Sequence, residues 1–342
     1  MPQTHISILG DGQMGLVCAA VLSQHPDRPR VTLWGHERRP MEALAQTRVS
    51  PRLEMLSLPP AVRVTGDDSV AMEGADLIVS AIPTQFIRAV WGRLSRFAPP
   101  PETRILSVAK GIENGSLLRP TQIVLDALGE DVRFPTRRTA VLSGPTIASE
   151  LARCLPATMI VAGDDPELTQ LVQRLFTTSW LRVYTGSDPI GVELAGATKN
   201  IIAIAAGILD GLRAGNNAKS ALLARGLAEI ARLGTAMKAK PETFFGIAGV
   251  GDLATTCFSP EGRNRSLGEA LGRGEKLDDY LARTQFVVEG VATTKAVMEL
   301  SKRMLVDMPI TAAVHAVLYE GLDPIDGIAR LMTREPKAER VG

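Results

Sequence analysis

Cysteine is scarce in this sequence, and the three present do not pair. Cys18, Cys154 and Cys257 lie far apart with no short spacing between them, which argues against a disulfide framework and a zinc site. A reducing, cytoplasmic setting is expected, and no metal site. An excess of one charge is also missing. With 38 Lys and Arg against 37 Asp and Glu, no global field favours nucleic acid or anionic lipid, so an anionic ligand must be met by a local cluster. The N-terminus has no basic stretch followed by an unbroken apolar one, because Asp11 and two glycines interrupt the first apolar run; no signal peptide is read there. Long hydrophobic runs are absent too. The most apolar segment, 194–209, is shorter than about 18 residues and carries Lys199 and Asn200, so it reads as a buried helix and no membrane insertion is expected.

What is present fits two globular domains. The 342 residues, 45% apolar and 22% charged, exceed one ordinary core. Short runs rich in Val and Ile at 6–9, 31–34, 62–65, 77–82, 105–108 and 140–142 alternate with helical stretches, the punctuation of βαβ units and a parallel sheet. Runs at 158–162 and 181–184 extend that sheet. After Asp188-Pro189 strand-like runs almost vanish, so the boundary is placed there: an α/β domain over 1–188, a Rossmann-type doubly wound sheet, and an all-helical domain over 189–342. Within 191–212, Ala195, Gly196, Ala203, Ala206 and Gly207 fall at helix-face spacings and allow neighbouring helices to come close; this is read as the central helix of the second domain. Glycine and proline break the helices at 245–252 and 259–262, leaving the intervening polar residues on loops. The charged end from Arg334 to Gly342 is expected to fray.

A turn, Gly10-Asp11-Gly12-Gln13-Met14-Gly15, joins the first strand to the first helix. In that context Gly10 permits the tight turn, Gly12 lets backbone approach a pyrophosphate, and Gly15 lets the helix sit close to the strand. The helix N-terminus then offers N–H groups and a favourable dipole to the anion. Nicotinamide dinucleotide binding is expected, with an ordinary tight strand-to-helix turn or a flavin-binding version of the same fold as the alternatives. An acid at the end of the second strand would accept the ribose hydroxyls of NAD. Here Trp34-Gly35-His36-Glu37-Arg38-Arg39 follows instead. His36, Arg38 and Arg39 can neutralise a 2′-phosphate, so NADP is expected to be accepted beside NAD, unless the arginines are a solvated helix start and Glu37 serves as a displaced acceptor.

Four further segments concentrate polar residues where apolar patterning stops: 109–113 with Lys110, 143–146 with Gly144 and Thr146, Lys199-Asn200, and 249–264. The first two follow strands, and ligands of open parallel sheets bind outside the strands' carboxyl ends. Lys199 lies among Ala195, Gly196, Ile201, Ile202 and Ala203. A buried lysine needs a partner or a function. Burial lowers its pKa toward neutrality while a nearby Asp raises it, and the other reading is an ammonium snorkelling to water from a polar helix edge. Asp252, after Gly249-Val250-Gly251, suits orientation of an ammonium or an ordinary N-cap. Arg263 and Asn264 at a helix start suit a phosphate, or are a solvated basic helix start. Glu289, on a loop before Thr293-Thr294, can accept a bond from a cofactor.

Together these segments resemble the bacterial NAD(P)-dependent glycerol-3-phosphate dehydrogenase family: Gly10-x-Gly12-x-x-Gly15, Lys110-Gly111-Ile112-Glu113, Ser143-Gly144-Pro145-Thr146, Gly196-Ala197-x-Lys199-Asn200, Gly249-x-Gly251-Asp252-Leu253 and Arg263-Asn264. The resemblance implies a phosphogluconate-dehydrogenase-like fold, a homodimer, and interconversion of sn-glycerol 3-phosphate and dihydroxyacetone phosphate, a phosphorylated triose, with NAD or NADP, supplying the glycerol backbone for phospholipid synthesis. It implies Lys199 as acid/base, Asp252 as its orienting partner, and Lys110 near the reacting oxygen and cofactor. Arg263 and Asn264 hold the phosphate, Arg263 also reaching the cofactor; Gly144 and Thr146 line the substrate pocket. Gln13, Met14, Ala148, Val287 and Glu289 join the glycines, His36 and Arg38 at the cofactor. The chain departs from the family pattern at Asp11, where a small residue is common, at Gln13-Met14, at Thr146 in place of serine, and at Gly262 in place of the serine before Arg-Asn. A β-hydroxyacid dehydrogenase or ketopantoate reductase of the same plan lacks the Asp252 and Arg263-Asn264 arrangement. A non-catalytic dinucleotide sensor has no need of Lys199 and Asp252.

Overall fold

Every one of the Val- and Ile-rich runs becomes a strand in the computed structural model, which describes residues 3–97, 99–335 and 338. The strands are β1 (His5–Leu9), β2 (Arg30–Trp34), β3 (Val62–Thr65), β4 (Leu77–Ser80), β5 (Arg104–Ser107), β6 (Thr139–Ser143), β7 (Ala157–Gly163) and β8 (Leu181–Gly186). They form one sheet in the order β3-β2-β1-β4-β5-β6-β7-β8. Residues of β1 and β4 are buried throughout, as in strands covered on both faces. The order reverses between β1 and β4, creating a switch point at their carboxyl ends, where open α/β sheets bind ligands.

The sheet is parallel, as expected, except at one pairing. β7 runs antiparallel to β6, while β8 is parallel to β7. The β6–β7 connection holds a single helix of five residues, Ala148–Ala152, too short to lie across a sheet face and return the chain to its starting edge, as a parallel crossover must.

The chain divides into two units, Met1–Ala109 with Pro120–Pro189, and Lys110–Arg119 with Ile190–Gly342. The sheet unit thus gives up residues 110–119 from the expected 1–188 span. Ile112 and Leu117 are buried in the helical unit's core with Leu194, Ala197 and Ile201, and Arg119 forms an ion pair with the buried Glu193. The excursion carries Lys110 into the helical unit.

The centre of that unit is the helix Pro189–Gly211, 23 residues long, close to the expected 191–212. By length and composition it could cross a membrane, but 94% of its apolar window is buried inside the protein, as befits a core helix. Helix Arg263–Gly272 crosses it closely. A Cβ on Gly207 would lie 2.0 Å from the Arg265 carbonyl oxygen, and one on Gly268 would lie 2.0 Å from that of Ile204; only bare backbone fits, so the crossing fixes where the second helix begins. Two stretches expected as loops are helical. Residues Ile247–Gly251 form a π-helical turn that runs straight into helix Asp252–Phe258, and Glu289 opens the helix Glu289–Arg303. Of the expected frayed end, residues 336–337 and 339–342 lie outside the described residues.

Candidate active site

In the sheet unit, the glycine turn fits a dinucleotide on its own geometry. Gly10 has φ +118°, and a Cβ there would stand 2.7 Å from the Ala81 carbonyl oxygen beyond β4; a Cβ on Gly15 would stand 1.9 Å from the Gly10 carbonyl oxygen. Both positions therefore exclude side chains. Gly12, by contrast, faces open space within 4 Å, leaving room for an anion at the start of helix Gln13–Ser23, whose N-terminus has no side-chain cap. That combination suits a pyrophosphate. Gln13 donates to the Arg52 carbonyl at 2.9 Å, and Met14 packs against the sheet's core. Past β2, the exposed His36 accepts from Arg93 at 3.1 Å, and Arg38 lies 3.7 Å from Glu42 on the first turns of its helix. Gly144, with φ +145°, follows β6 and its carbonyl accepts from the Thr146 hydroxyl at 3.2 Å; Ala148 begins the five-residue helix after them.

In the helical unit three of the sequence's candidates meet at one carboxylate. Lys199 Nζ donates to Asp252 Oδ1 at 2.6 Å, and Lys110 Nζ donates to Asp252 Oδ2 at 2.7 Å. Asp252 is 0% and Lys199 6% exposed, which decides the question left open by patterning: the ammonium is paired inside the protein and does not snorkel. Nor is Asp252 an N-cap. It is the first residue of its helix and the capping position is Gly251, so its carboxylate is held for the two lysines. Burial lowers the Lys199 pKa to about 8; the Asp252 carboxylate opposes this and the Lys110 ammonium reinforces it. A lysine so balanced both gives and takes a proton near neutrality. With two ammoniums on one carboxylate the cluster keeps a positive charge when both lysines are protonated, suited to an oxygen that becomes anionic.

Thr256 escaped the sequence reading. Its hydroxyl accepts from Lys199 Nζ and donates to the Asp252 carbonyl at 2.7 Å, holding the lysine from a second direction. The signal was available as spacing, since Thr256 is four residues after Asp252 and shares its helix face, but it shows only once 252–258 is known to be helical. The neighbouring Cys257 thiol is pushed up to about 12 by burial and so keeps its proton near neutrality.

Arg263 and Asn264 open the helix Arg263–Gly272. The Arg263 guanidinium lies over the Phe286 ring, 5.0 Å from its centroid, and loss of solvent around it lowers its pKa while Glu289 pulls it back. Asn264 is buried, and its Oδ1 accepts from the Gly290 N–H at 2.9 Å, which leaves the amide nitrogen as its donor end. A Cβ on Gly290 would stand 2.6 Å from Asn264 Oδ1 and 3.0 Å from the Asn200 carbonyl oxygen. Gly290 is thus the spacer between the Arg263-Asn264 pair and the helix bearing Lys199. Val287 is 39% exposed beside this corner.

Comparison with known proteins bears directly on this arrangement. The family model for the NAD-dependent glycerol-3-phosphate dehydrogenase N-terminus matches residues 5–169, and that for the C-terminus of the same family matches residues 188–329. The chain belongs to this family. It is 42% identical over 337 residues to a glycerol-3-phosphate dehydrogenase [NAD(P)+] of Salinibacter ruber, covering 98% of this chain and 96% of the relative. It is 44% identical over 331 residues to one of Bacillus pumilus, covering 96% and 94%. The crystal structure of a glycerol-3-phosphate dehydrogenase from Coxiella burnetii superposes with a TM-score of 0.91 at 34% identity, over 97% of this chain and 99% of that one.

Proposed function

We propose that this protein is an NAD(P)-dependent glycerol-3-phosphate dehydrogenase, interconverting dihydroxyacetone phosphate and sn-glycerol 3-phosphate. The observation that carries the reading is the Lys199–Asp252–Lys110 cluster, in a chain whose two halves both match this family. Reduced nicotinamide, when bound, supplies a hydride to the carbonyl carbon. The Lys199 ammonium gives the proton that turns the carbonyl oxygen into a hydroxyl, and the neutral amine takes it back in oxidation. Asp252 and Thr256 fix the direction of that Nζ. Lys110 adds positive charge at the oxygen as it becomes alkoxide-like. Arg263 and the Asn264 amide grip the phosphate through charge-assisted and neutral hydrogen bonds. Gly144 and Thr146 belong to the substrate side of the proposal. Gly10, Gly12, Gln13, Met14, Gly15, His36, Arg38, Ala148, Val287 and Glu289 belong to its cofactor side, together with Lys110 and Arg263.

A role in supplying the glycerol phosphate backbone of phospholipids, a cytoplasmic setting and a homodimer complete the proposal. Its test is an absorbance assay of the purified protein with NADH or NADPH and a panel of keto substrates. Oxidation of either cofactor with dihydroxyacetone phosphate supports the reading. Oxidation only with an unphosphorylated keto acid favours a ketopantoate or β-hydroxyacid type, and binding of cofactor without oxidation favours a sensor.

A further inference from the structure

We infer that Asp11 supplies, from within the glycine turn, the carboxylate that β2 lacks: it receives the ribose hydroxyls at the adenosine end of the cofactor and sets a preference for NADH over NADPH. The inference rests on the dinucleotide reading above and concerns which dinucleotide is favoured.

The position where a Rossmann-type sheet places its ribose-binding acid is about 20 residues after the turn, at the end of the second strand. In this chain that position is Gly35, directly after β2. A side chain there would have to displace others. A Cβ on Gly35 would meet the Met41 sulfur at 2.3 Å and the Asp11 carboxyl carbon at 3.1 Å. The space an acid at 35 would use is therefore already occupied, in part by the Asp11 carboxyl group.

The Asp11 carboxylate is braced as well as placed. Its Oδ2 lies 3.6 Å from Arg52 Nε, with the Asp11 side chain 22% exposed. The backbone carbonyl of the same Arg52 accepts from the Gln13 amide. Two residues at which the turn departs from the family pattern, Asp11 and Gln13, thus both engage one residue of the 50–55 loop. They behave as a single substitution: the loop is pinned to the turn, and the carboxylate is steadied by a cation while remaining open to solvent.

The other acids near β2 are less suited. Asp68 already accepts from Trp34 Nε1, Arg93 and Arg96. Glu37 precedes helix Arg38–Thr47 with an exposed side chain that makes no capping bond. Of the cations thought suited to a 2′-phosphate, His36 takes a bond from Arg93 and Arg38 faces Glu42. A carboxylate accepts hydrogen bonds from two ribose hydroxyls but repels the charge of a 2′-phosphate. Asp11 therefore outweighs His36 and Arg38 in the choice of dinucleotide.

Isothermal calorimetry with NADH and with NADPH, on wild type, Asp11→Asn and Asp11→Ala, tests it without reference to turnover. Wild type should bind NADH the more tightly. Removing a charged acceptor of hydrogen bonds should weaken NADH about tenfold in each variant. NADPH should tighten, because Arg52 is left without its counter-charge. A ratio of the two affinities unchanged within about twofold in both variants, or a wild type that prefers NADPH, overturns the inference. A wild type that binds neither cofactor overturns the dinucleotide reading itself, and this inference with it.

Discussion

Replacing Asp252 with Asn removes the one negative charge between two ammoniums and leaves the shape of the site nearly intact. The Lys199 pKa of about 8 is a balance: burial and the Lys110 ammonium pull it down, and the Asp252 carboxylate, 2.6 Å from its Nζ, holds it up. In Asp252→Asn burial and the Lys110 ammonium remain without that opposing carboxylate. Two unit charges 4 Å apart at a dielectric of about 20 interact by about 4 kcal/mol, and one pKa unit is about 1.36 kcal/mol. Even after a generous discount for water and rearrangement, a fall of at least about one unit follows. At pH 7.5 the lysine then goes from roughly three-quarters protonated to under about one-quarter. The sign for catalysis is fixed by the chemistry. Reduction needs the ammonium, so kcat/KM for dihydroxyacetone phosphate falls as pH rises through the lysine's pKa; oxidation needs the amine and rises through the same value. The assay is the pH dependence of kcat/KM for reduction, which reports the free enzyme. Wild type should show a descending midpoint near pH 8, and Asp252→Asn a midpoint near 7 or lower. Breaking a buried pair also costs about 3–5 kcal/mol of stability, partly relieved because Lys199 can shed its proton. A variant midpoint at or above the wild-type one would refute the reasoning, because the titrating group would then not be Lys199 held by Asp252.

Arg263→Ala should raise KM for dihydroxyacetone phosphate about 10- to 100-fold with a smaller change in kcat, as loss of a charged hydrogen-bond donor implies; steady-state kinetics at saturating cofactor checks this. Gly290→Ala should have a milder effect of the same kind, about 3- to 30-fold in KM, because its Cβ would stand 2.6 Å from Asn264 Oδ1 and push the amide off its phosphate-facing geometry. A raised KM with NADH affinity unchanged by calorimetry is the expected outcome.

How much of this was legible beforehand varied with the range of the interaction involved. The eight strands were readable because each is a short run of apolar and β-branched residues alternating with helical stretches. The direction of β7 was not, since orientation is decided by the connection after β6 and not by any residue in the strand. The excursion 110–119 was hidden for a similar reason: Ile112 and Leu117 look like loop residues until the core they enter is known. Lys199 could be recognised as anomalous from its apolar neighbours, but pairing or snorkelling depended on Asp252, 53 residues further along. Asp252 itself was assigned to a loop because Gly249 and Gly251 read as helix breakers, whereas they form a π-helical turn leading into the helix. Asp11 showed only as a departure from a pattern. Its relation to Gly35 and Arg52 needed the folded turn.

Lys199 as the proton donor is tested most directly by kcat of Lys199→Ala at saturating dihydroxyacetone phosphate and reduced cofactor, with cofactor affinity measured in parallel. Removal of a positioned acid should lower kcat by about 10²- to 10⁴-fold while NADH still binds with near wild-type affinity. A variant that turns over within about tenfold of wild type would contradict the account, because the cluster in the helical unit would then hold the fold together without serving the reaction.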